Sequence, residues 1–374
     1  MPSLIPDVDP NGLLEYSVVY TDRALNHMSV NFQQVMRDLS DTLKSVYAAE
    51  SIAIVPGSGT FGMEAVARQF AHNQKCMVIR NGWFSYRWTQ IFNAGQIPSE
   101  EIVIKARPVN DQKHPCYAPA PIDEIVQTIE KEKPHMVFAA HVETSAGMLL
   151  PDEYIRRIAE ATHSVGGLLV LDCIASGTVW VNMKDTGVDL LITAPQKGWS
   201  GSPCAAVVLF SERACQKMEQ TQSTSFACDL KKWRTIMNRY ENGGHAYHAT
   251  MPTDALRIFR DVIVEAKEYG FERLKRAQFE LGSQIRSLLS EKGFKSVAAA
   301  GFTSPSVIVS YTENPAIKSG RAFAEIGIQI AAGVPLKCDE AQPFQTFRIG
   351  LFGLDKLMHI DRTVARFKEA LNQL

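Results

Sequence analysis

The chain has 374 residues, 45% hydrophobic and 21% charged, and its 39 basic and 40 acidic side chains leave a formal charge of −1. That length exceeds what one compact core usually holds, so two domains are expected in a globular protein. The charge balance provides no field for gripping nucleic acid or an anionic membrane, and neither is expected as a partner.

Residues 1–20 are proline-rich and irregular and read as an arm. The opening MPSLIPDVDPNG has neither the basic start nor the apolar core of a signal peptide, and no apolar run reaches membrane-spanning length. Seven cysteines, scattered and without a CxxC pair, suit a reducing compartment better than a disulfide framework or zinc site. The tail Asn372-Gln373-Leu374 lacks the basic residue of a good peroxisomal signal, so the cytoplasm is the expected location.

From about 29 to 49 the spacing of Phe32, Val35, Met36, Leu39, Leu43, Val46 and Tyr47 predicts a helix. A strand at 52–55, the loop Pro56-Gly57-Ser58-Gly59-Thr60 and a helix through 63–70 follow. Together they predict an anion site, because free backbone N–H groups and the helix dipole converge there. Gly57, Gly59 and Gly62 also satisfy GxGxxG. A dinucleotide site expects an acid about 20 residues further on. Residues 77–82 contain none, which leaves a nicotinamide-dependent dehydrogenase as a remote alternative.

Strands are also expected at 76–79, 102–104, 136–140 and 205–210, with helices at 122–132 and 152–163. Two more apolar runs, 168–171 and 190–193, read as buried parallel strands. The alternation predicts an α/β fold with a mostly parallel sheet covered on both faces. After Pro252 the texture changes. A helical pattern over about 255–289, broken near Gly270, leads to alternating segments at 306–310 and 347–350 and a closing helix at 356–374. The expected division is an N-terminal arm at 1–20, a large domain at 21–264 and a small α+β domain at 265–374.

Asp172 follows the strand at 168–171, and Lys197 stands just past the strand at 190–193. Both fall on the carboxyl edge of the sheet, where open α/β folds bind ligands. The pair suits pyridoxal 5′-phosphate. A lysine amine can form a Schiff base with the aldehyde, and a carboxylate beside the pyridine nitrogen keeps it protonated, so the ring can accept electrons. Ala194, Gly198, Ser200 and Gly201 leave room for a bulky cofactor. The ring needs a flat partner, which Asn81-Gly82-Trp83-Phe84-Ser85 offers, and Ile174 fits as a small aliphatic on the other face. Ser58, Gly59, Thr60 and Gln196 are candidates for the phosphate. His141, His245 and His248 have no carboxylate or cysteine at metal spacing and read as packing or supporting groups.

With these pieces in place the chain resembles the alanine–glyoxylate and serine–pyruvate aminotransferases, of the class V branch of fold type I pyridoxal phosphate enzymes. The matching segments are Gly57-Ser58-Gly59-Thr60 with Met63-Glu64-Ala65, Asn81-Gly82-x-Phe84 with Arg87, and His141-x-Glu143-Thr144-Ser145-x-Gly147. They continue with Leu171-Asp172 and Ala175-Ser176, Gln196-Lys197-Gly198, Tyr247-His248-Ala249-Thr250 and Phe347-Arg348-Ile349-Gly350. They run from about 50 to 355 in family order.

The resemblance implies a large domain with a seven-stranded-type, mostly parallel sheet between helices, a small C-terminal domain, and a homodimer with shared sites. It implies Lys197 as Schiff-base lysine and proton shuttle, Asp172 as partner of the pyridine nitrogen, and Phe84 as stacking ring. Thr144 would lie against the cofactor, and Ser58, Gly59, Thr60 and Gln196 would contact its phosphate. Tyr247 and Thr250 would reach the neighbouring subunit's phosphate, and Arg348 would grip the substrate carboxylate, a role suited to its planar fork. The implied activity is ping-pong transfer of an amino group from a small amino acid to glyoxylate or pyruvate. A 2-aminoethylphosphonate–pyruvate transaminase and a lyase of the same fold are the alternatives. In place of a short Gly-Pro segment near the family's start, this chain has Leu14-Glu15-Tyr16-Ser17-Val18-Val19-Tyr20, from which Glu15, Tyr16 or Tyr20 would reshape the acceptor site.

Overall fold

The computed structural model describes residues 8–10 and 12–374. Residues 1–7 and 11, part of the expected arm, lie outside the described residues. Helix α1 (Val30–Tyr47) begins where the Ser29 hydroxyl accepts a bond from the Phe32 N–H, and it buries Phe32, Val35, Met36, Leu39 and Leu43.

Seven strands then build the central sheet: β1 (Ser51–Pro56), β2 (Lys75–Arg80), β3 (Glu100–Lys105), β4 (Met136–Ala140), β5 (Leu168–Asp172), β6 (Leu190–Thr193) and β7 (Ala205–Phe210). Their spatial order is β1-β7-β6-β5-β4-β2-β3. Strand β7 runs antiparallel to both its neighbours, and every other pairing in the sheet is parallel. Helices cover both faces, so β4 to β7 are buried along their whole length and read as unbroken apolar runs.

Between the strands lie α2 (Gly59–Phe70), α3 (Trp83–Gly95), α4 (Ile122–Glu132) and α5 (Asp152–Ser164). After β7 come α6 (Leu230–Glu241), α7 (Thr253–Tyr269) and α8 (Phe271–Glu291). Gly270, at φ +102°, separates the last two, which is the break expected from the sequence. A second, antiparallel sheet has the order β8-β10-β9, from β8 (Val307–Tyr311), β9 (Ala331–Ala332) and β10 (Thr346–Gly350). One apolar cluster holds the central sheet and extends to Ile263 on α7, and a separate one, from Ala266 onward, packs α8 against the second sheet. Among the described residues no helix is long and apolar enough to cross a membrane.

The closing helix differs from the sequence reading. It is two pieces, α9 (Leu354–Met358) and α10 (Ile360–Leu371), separated by His359 at φ −133°, ψ 59°. Leu354, Leu357, Phe367 and Leu371 all enter one apolar cluster, and the reset at His359 lets both pieces face it.

Candidate active site

The carboxyl ends of β5 and β6 open into a cavity of about 360 Å³ lined by Asp172, Lys197, Phe84, Arg87 and Arg348, with α2's first residues at one wall. Parallel pairing sets Asp172 beside Ile192 of β6, so the acid and the lysine loop start from adjacent strand ends. The loop is fixed tightly. A Cβ on Gly198 would stand 2.0 Å from the Gly177 carbonyl oxygen, so only glycine fits next to Lys197. Trp199 stacks on Trp180 with ring centroids 4.3 Å apart, and the Ser200 hydroxyl accepts from the Leu354 N–H at 2.8 Å.

At the amino end of α2 the three glycines of the GxGxxG pattern have distinct steric roles. Gly57 turns the chain at φ +126°, and a Cβ on Gly59 would meet the Ile174 side chain at 2.4 Å. On Gly62 it would meet Ala206 of β7 at 2.6 Å, so the glycine lets α2 lie close on the sheet. Ser58 makes no side-chain cap bond to α2, which leaves the first amides and its hydroxyl for another acceptor. Gln196 lines the same cavity, and its buried Oε1 has no partner among the described residues.

Helix α3 is positioned from sixty residues away. The fully buried Glu143 carboxylate accepts from the Phe84 N–H (3.1 Å), the Ser85 N–H and hydroxyl (2.8 Å each), the Ser145 N–H (3.0 Å) and the Ser145 hydroxyl (2.7 Å). An anion at a helix amino end is favourable, and here it fixes Phe84 at the cavity wall. The Arg87 and Arg348 guanidiniums lie 5.1 and 5.4 Å from the Phe84 ring centroid.

The charges in the cavity tune one another. Burial pushes the Asp172 carboxyl up to about 6, against the bond it accepts from the Ile174 N–H at 2.9 Å and the pull of Arg87. Burial, then Arg348 and Arg87, hold the Lys197 amine below its usual value, which favours the neutral, basic form. Its Nζ forms no ion pair among the described residues and lies 5.2 Å from the Phe352 ring centroid. Burial also lowers Arg348, whose Nε donates to the Ala332 carbonyl at 2.8 Å.

Of the residues expected from the sequence, Ser58, Gly59, Thr60, Phe84, Thr144, Asp172, Ile174, Gln196, Lys197 and Arg348 line this one cavity. Tyr247 and Thr250 do not. They stand in solvent, Tyr247 53% exposed, with their hydroxyls 3.0 Å apart. Nor do Glu15, Tyr16 and Tyr20 line it: the Tyr20 hydroxyl donates to the Met251 carbonyl, and Glu15 accepts from Asn26. His141 is buried, with Nδ1 2.7 Å from the Ser176 hydroxyl.

The sequence reading gave no role to Arg87, Glu143 or Phe352. Arg87 and Glu143 fall inside matched segments, which was a signal, whereas Phe352 has no local signature.

The residues fit pyridoxal 5′-phosphate: an unpaired lysine opposite a carboxylate, an uncapped helix end whose glycine is closed to any Cβ, and an orphaned amide oxygen all face one space. The family profile for aminotransferase class-V matches residues 12–349, and the chain belongs to that family. It is a pyridoxal phosphate-dependent transaminase of fold type I.

Over 93% of its length it is 24% identical to alanine–glyoxylate aminotransferase of Rattus norvegicus, covering 82% of that protein. Over 92% it is 26% identical to 2-aminoethylphosphonate–pyruvate transaminase of Syntrophobacter fumaroxidans, covering 89% of it. Among solved structures, alanine–glyoxylate aminotransferase from Nostoc sp. superimposes with a TM-score of 0.78 at 20% identity, over 93% of this chain and 88% of that one.

Proposed function

We propose that the chain moves an amino group from a small amino acid, alanine or serine in kind, to a small 2-oxo acid such as glyoxylate or pyruvate, in two half-reactions at one site. The observation that carries this reading is the convergence of Lys197, Asp172 and Arg348 on a single cavity of about 360 Å³. The similarity to the rat enzyme supports the choice of substrates.

When bound, the cofactor supplies an aldehyde that captures amines and a ring that takes up the electron pair left when Cα loses its proton. Arg348 offers its fork to the substrate carboxylate and so aims the Cα–H. The Nζ of Lys197 takes that proton, a task helped by the neighbouring guanidiniums that favour its neutral form. Asp172 holds a proton at the ring nitrogen. Phe84, Ile174 and Thr144 would hold the ring, and Ser58, Gly59, Thr60 and Gln196 would take the phosphate.

The working unit in this reading is a homodimer in which Tyr247 and Thr250 of one copy complete the phosphate site of the other. It is supported by that exposed hydroxyl pair and by large apolar side chains left in solvent: Leu13 at 94%, Val18 at 102%, Phe226 at 79% and Phe61 at 50%. The cluster around the central sheet, which ends at Ile263, and the one that begins at Ala266 support a division near residue 265, across which a third cluster joins Val142 and Ala175 to Val307 and Val309; seven unpaired cysteines support a reducing location such as the cytoplasm.

Single-turnover spectra with alanine, serine, aspartate and 2-aminoethylphosphonate, followed by glyoxylate or pyruvate, test the substrates. Alanine or serine should convert the cofactor fastest. Conversion by the aminophosphonate alone would overturn the choice.

A further inference from the structure

We propose that Arg87 is a phosphate-binding residue, closing the cofactor cradle that Ser58, Gly59 and Thr60 begin; this rests on the cofactor reading above. Arg87 sits one turn beyond Phe84 on α3. Its Nη1 donates to the Thr60 hydroxyl at 3.2 Å, and its guanidinium lies 5.1 Å from the Phe84 ring centroid. The side chain therefore bridges from the aromatic wall to the second residue of α2, whose opening amides have no side-chain cap. Two independently built donor groups, a helix end and a guanidinium, converge on one place.

The charge count points to the same occupant. Arg87, Lys197 and Arg348 line the cavity together, and Asp172 is the carboxylate beside them. Arg87 forms no ion pair among the described residues. Its hydrogen-bond partner there is a neutral hydroxyl, which leaves most of its five donors free in a half-buried setting. Asp172 feels its field but forms no ion pair with it, and an inward-facing guanidinium left in that state is costly and suits an anion that arrives with the ligand. The substrate carboxylate is matched by Arg348, which β10 and the Ala332 carbonyl hold in place. The charge that remains is a phosphate ester, carrying about −1.5 to −2 with three strong acceptor oxygens. Helix amides and Gln196 supply donors for it but no full positive charge.

The test compares ligands with and without the phosphate. Dissociation constants of pyridoxal 5′-phosphate and of phosphate-free pyridoxal are measured by fluorescence quenching for the parent protein, Arg87→Gln and Arg87→Lys, with inorganic phosphate as competitor. Arg87→Gln should weaken pyridoxal 5′-phosphate by about tenfold or more while leaving pyridoxal nearly unchanged. Arg87→Lys, which keeps the charge without the fork and tests the idea even if the glutamine variant does not fold, should fall between. Inorganic phosphate should compete less well against both variants.

Equal losses for the two ligands in either variant would overturn the proposal. So would unchanged cofactor binding with a raised KM confined to aspartate or 2-aminoethylphosphonate, which would assign Arg87 to a distal anion on the substrate. A parent protein that binds neither ligand, and that borohydride does not fix to Lys197, would remove the cofactor reading itself.

Discussion

The lysine loop at the floor of the cavity and the segment carrying Tyr247 and Thr250 are built on opposite terms. Around Lys197 a single methyl at Gly198 would collide with a backbone oxygen at 2.0 Å, and two tryptophans stack beneath it at 4.3 Å. Tyr247 is held more loosely: the ring is 53% exposed, its centroid lies 5.6 Å from that of His27, and its hydroxyl meets that of Thr250. The difference separates what one chain completes from what it leaves open. Proton transfer, the role proposed for Lys197, needs geometry held to a fraction of an ångström, and the tight packing around that loop lies within one copy. The flank carries hydrogen-bonding groups that this copy leaves in solvent.

The largest effect tests the floor. Lys197→Ala should lower transamination by about 10⁴-fold or more while leaving the fold intact, because among the described residues its side chain makes no hydrogen bond that the core relies on. Mass spectrometry after borohydride reduction should find the cofactor on Lys197 in the parent and on no residue in the variant. A variant that still exchanged amino groups at the parent rate would place the chemistry elsewhere.

Asp172→Asn separates function from stability at the same floor. Its folded carboxyl titrates near 6, above the ordinary 3.8, so folding favours the protonated form. In the cofactor-free protein the resulting stability is full below about pH 4, falls as pH rises through 6, and is then lost. Asparagine does not titrate. At about pH 8 the cofactor-free variant should therefore be more stable than the parent by about 3 kcal/mol, a gap that closes on acidification. The cofactor-loaded variant should turn over far more slowly. Denaturant titrations at the two pH values check the first statement, and a pH-independent difference would refute it.

Glu143→Gln sharpens the comparison by loosening a wall of the floor without touching its chemistry. The amide cannot accept the five bonds that Glu143 takes from Phe84, Ser85 and Ser145. A loss of about 2 kcal/mol of stability is expected, read as a lower denaturation midpoint, together with weaker stacking of the cofactor on Phe84.

That wall also marks where the sequence stops being legible. Strands β4 to β7 stand out because both faces are buried and no polar residue interrupts them before the last position, Asp172 in β5 and Thr193 in β6. Helix α3 does not stand out. Trp83, Phe84, Tyr86, Trp88 and Phe92 give it an aromatic composition without a strong helical preference, and the carboxylate that caps it lies at Glu143. Helix α6 had a local signal that went unused, the Asp229 side chain accepting from the Lys232 N–H. The break at His359 has none, with neither proline nor glycine there. At the site, Lys197 and Asp172 were readable from the carboxyl-edge rule. Arg87 and Phe352 reach the cavity by tertiary packing, Phe352 from beyond a strand of the second sheet.

The smallest effect bears on the flank. Tyr247→Phe with Thr250→Ala removes two hydroxyls that make no contact with their own chain's cavity, so a self-sufficient subunit would bind cofactor as before. If a second copy uses them, pyridoxal 5′-phosphate should bind about tenfold more weakly. Mixing this variant with Lys197→Ala makes the distinction sharper. In a hybrid dimer with shared sites, the subunit that keeps Lys197 meets an intact Tyr247 and Thr250 from its neighbour, and at limiting cofactor the mixture should exceed the sum of its parents. If each chain relied on its own hydroxyls, every site in the hybrid would carry a defect and mixing would restore nothing. The open flank would then be ordinary surface.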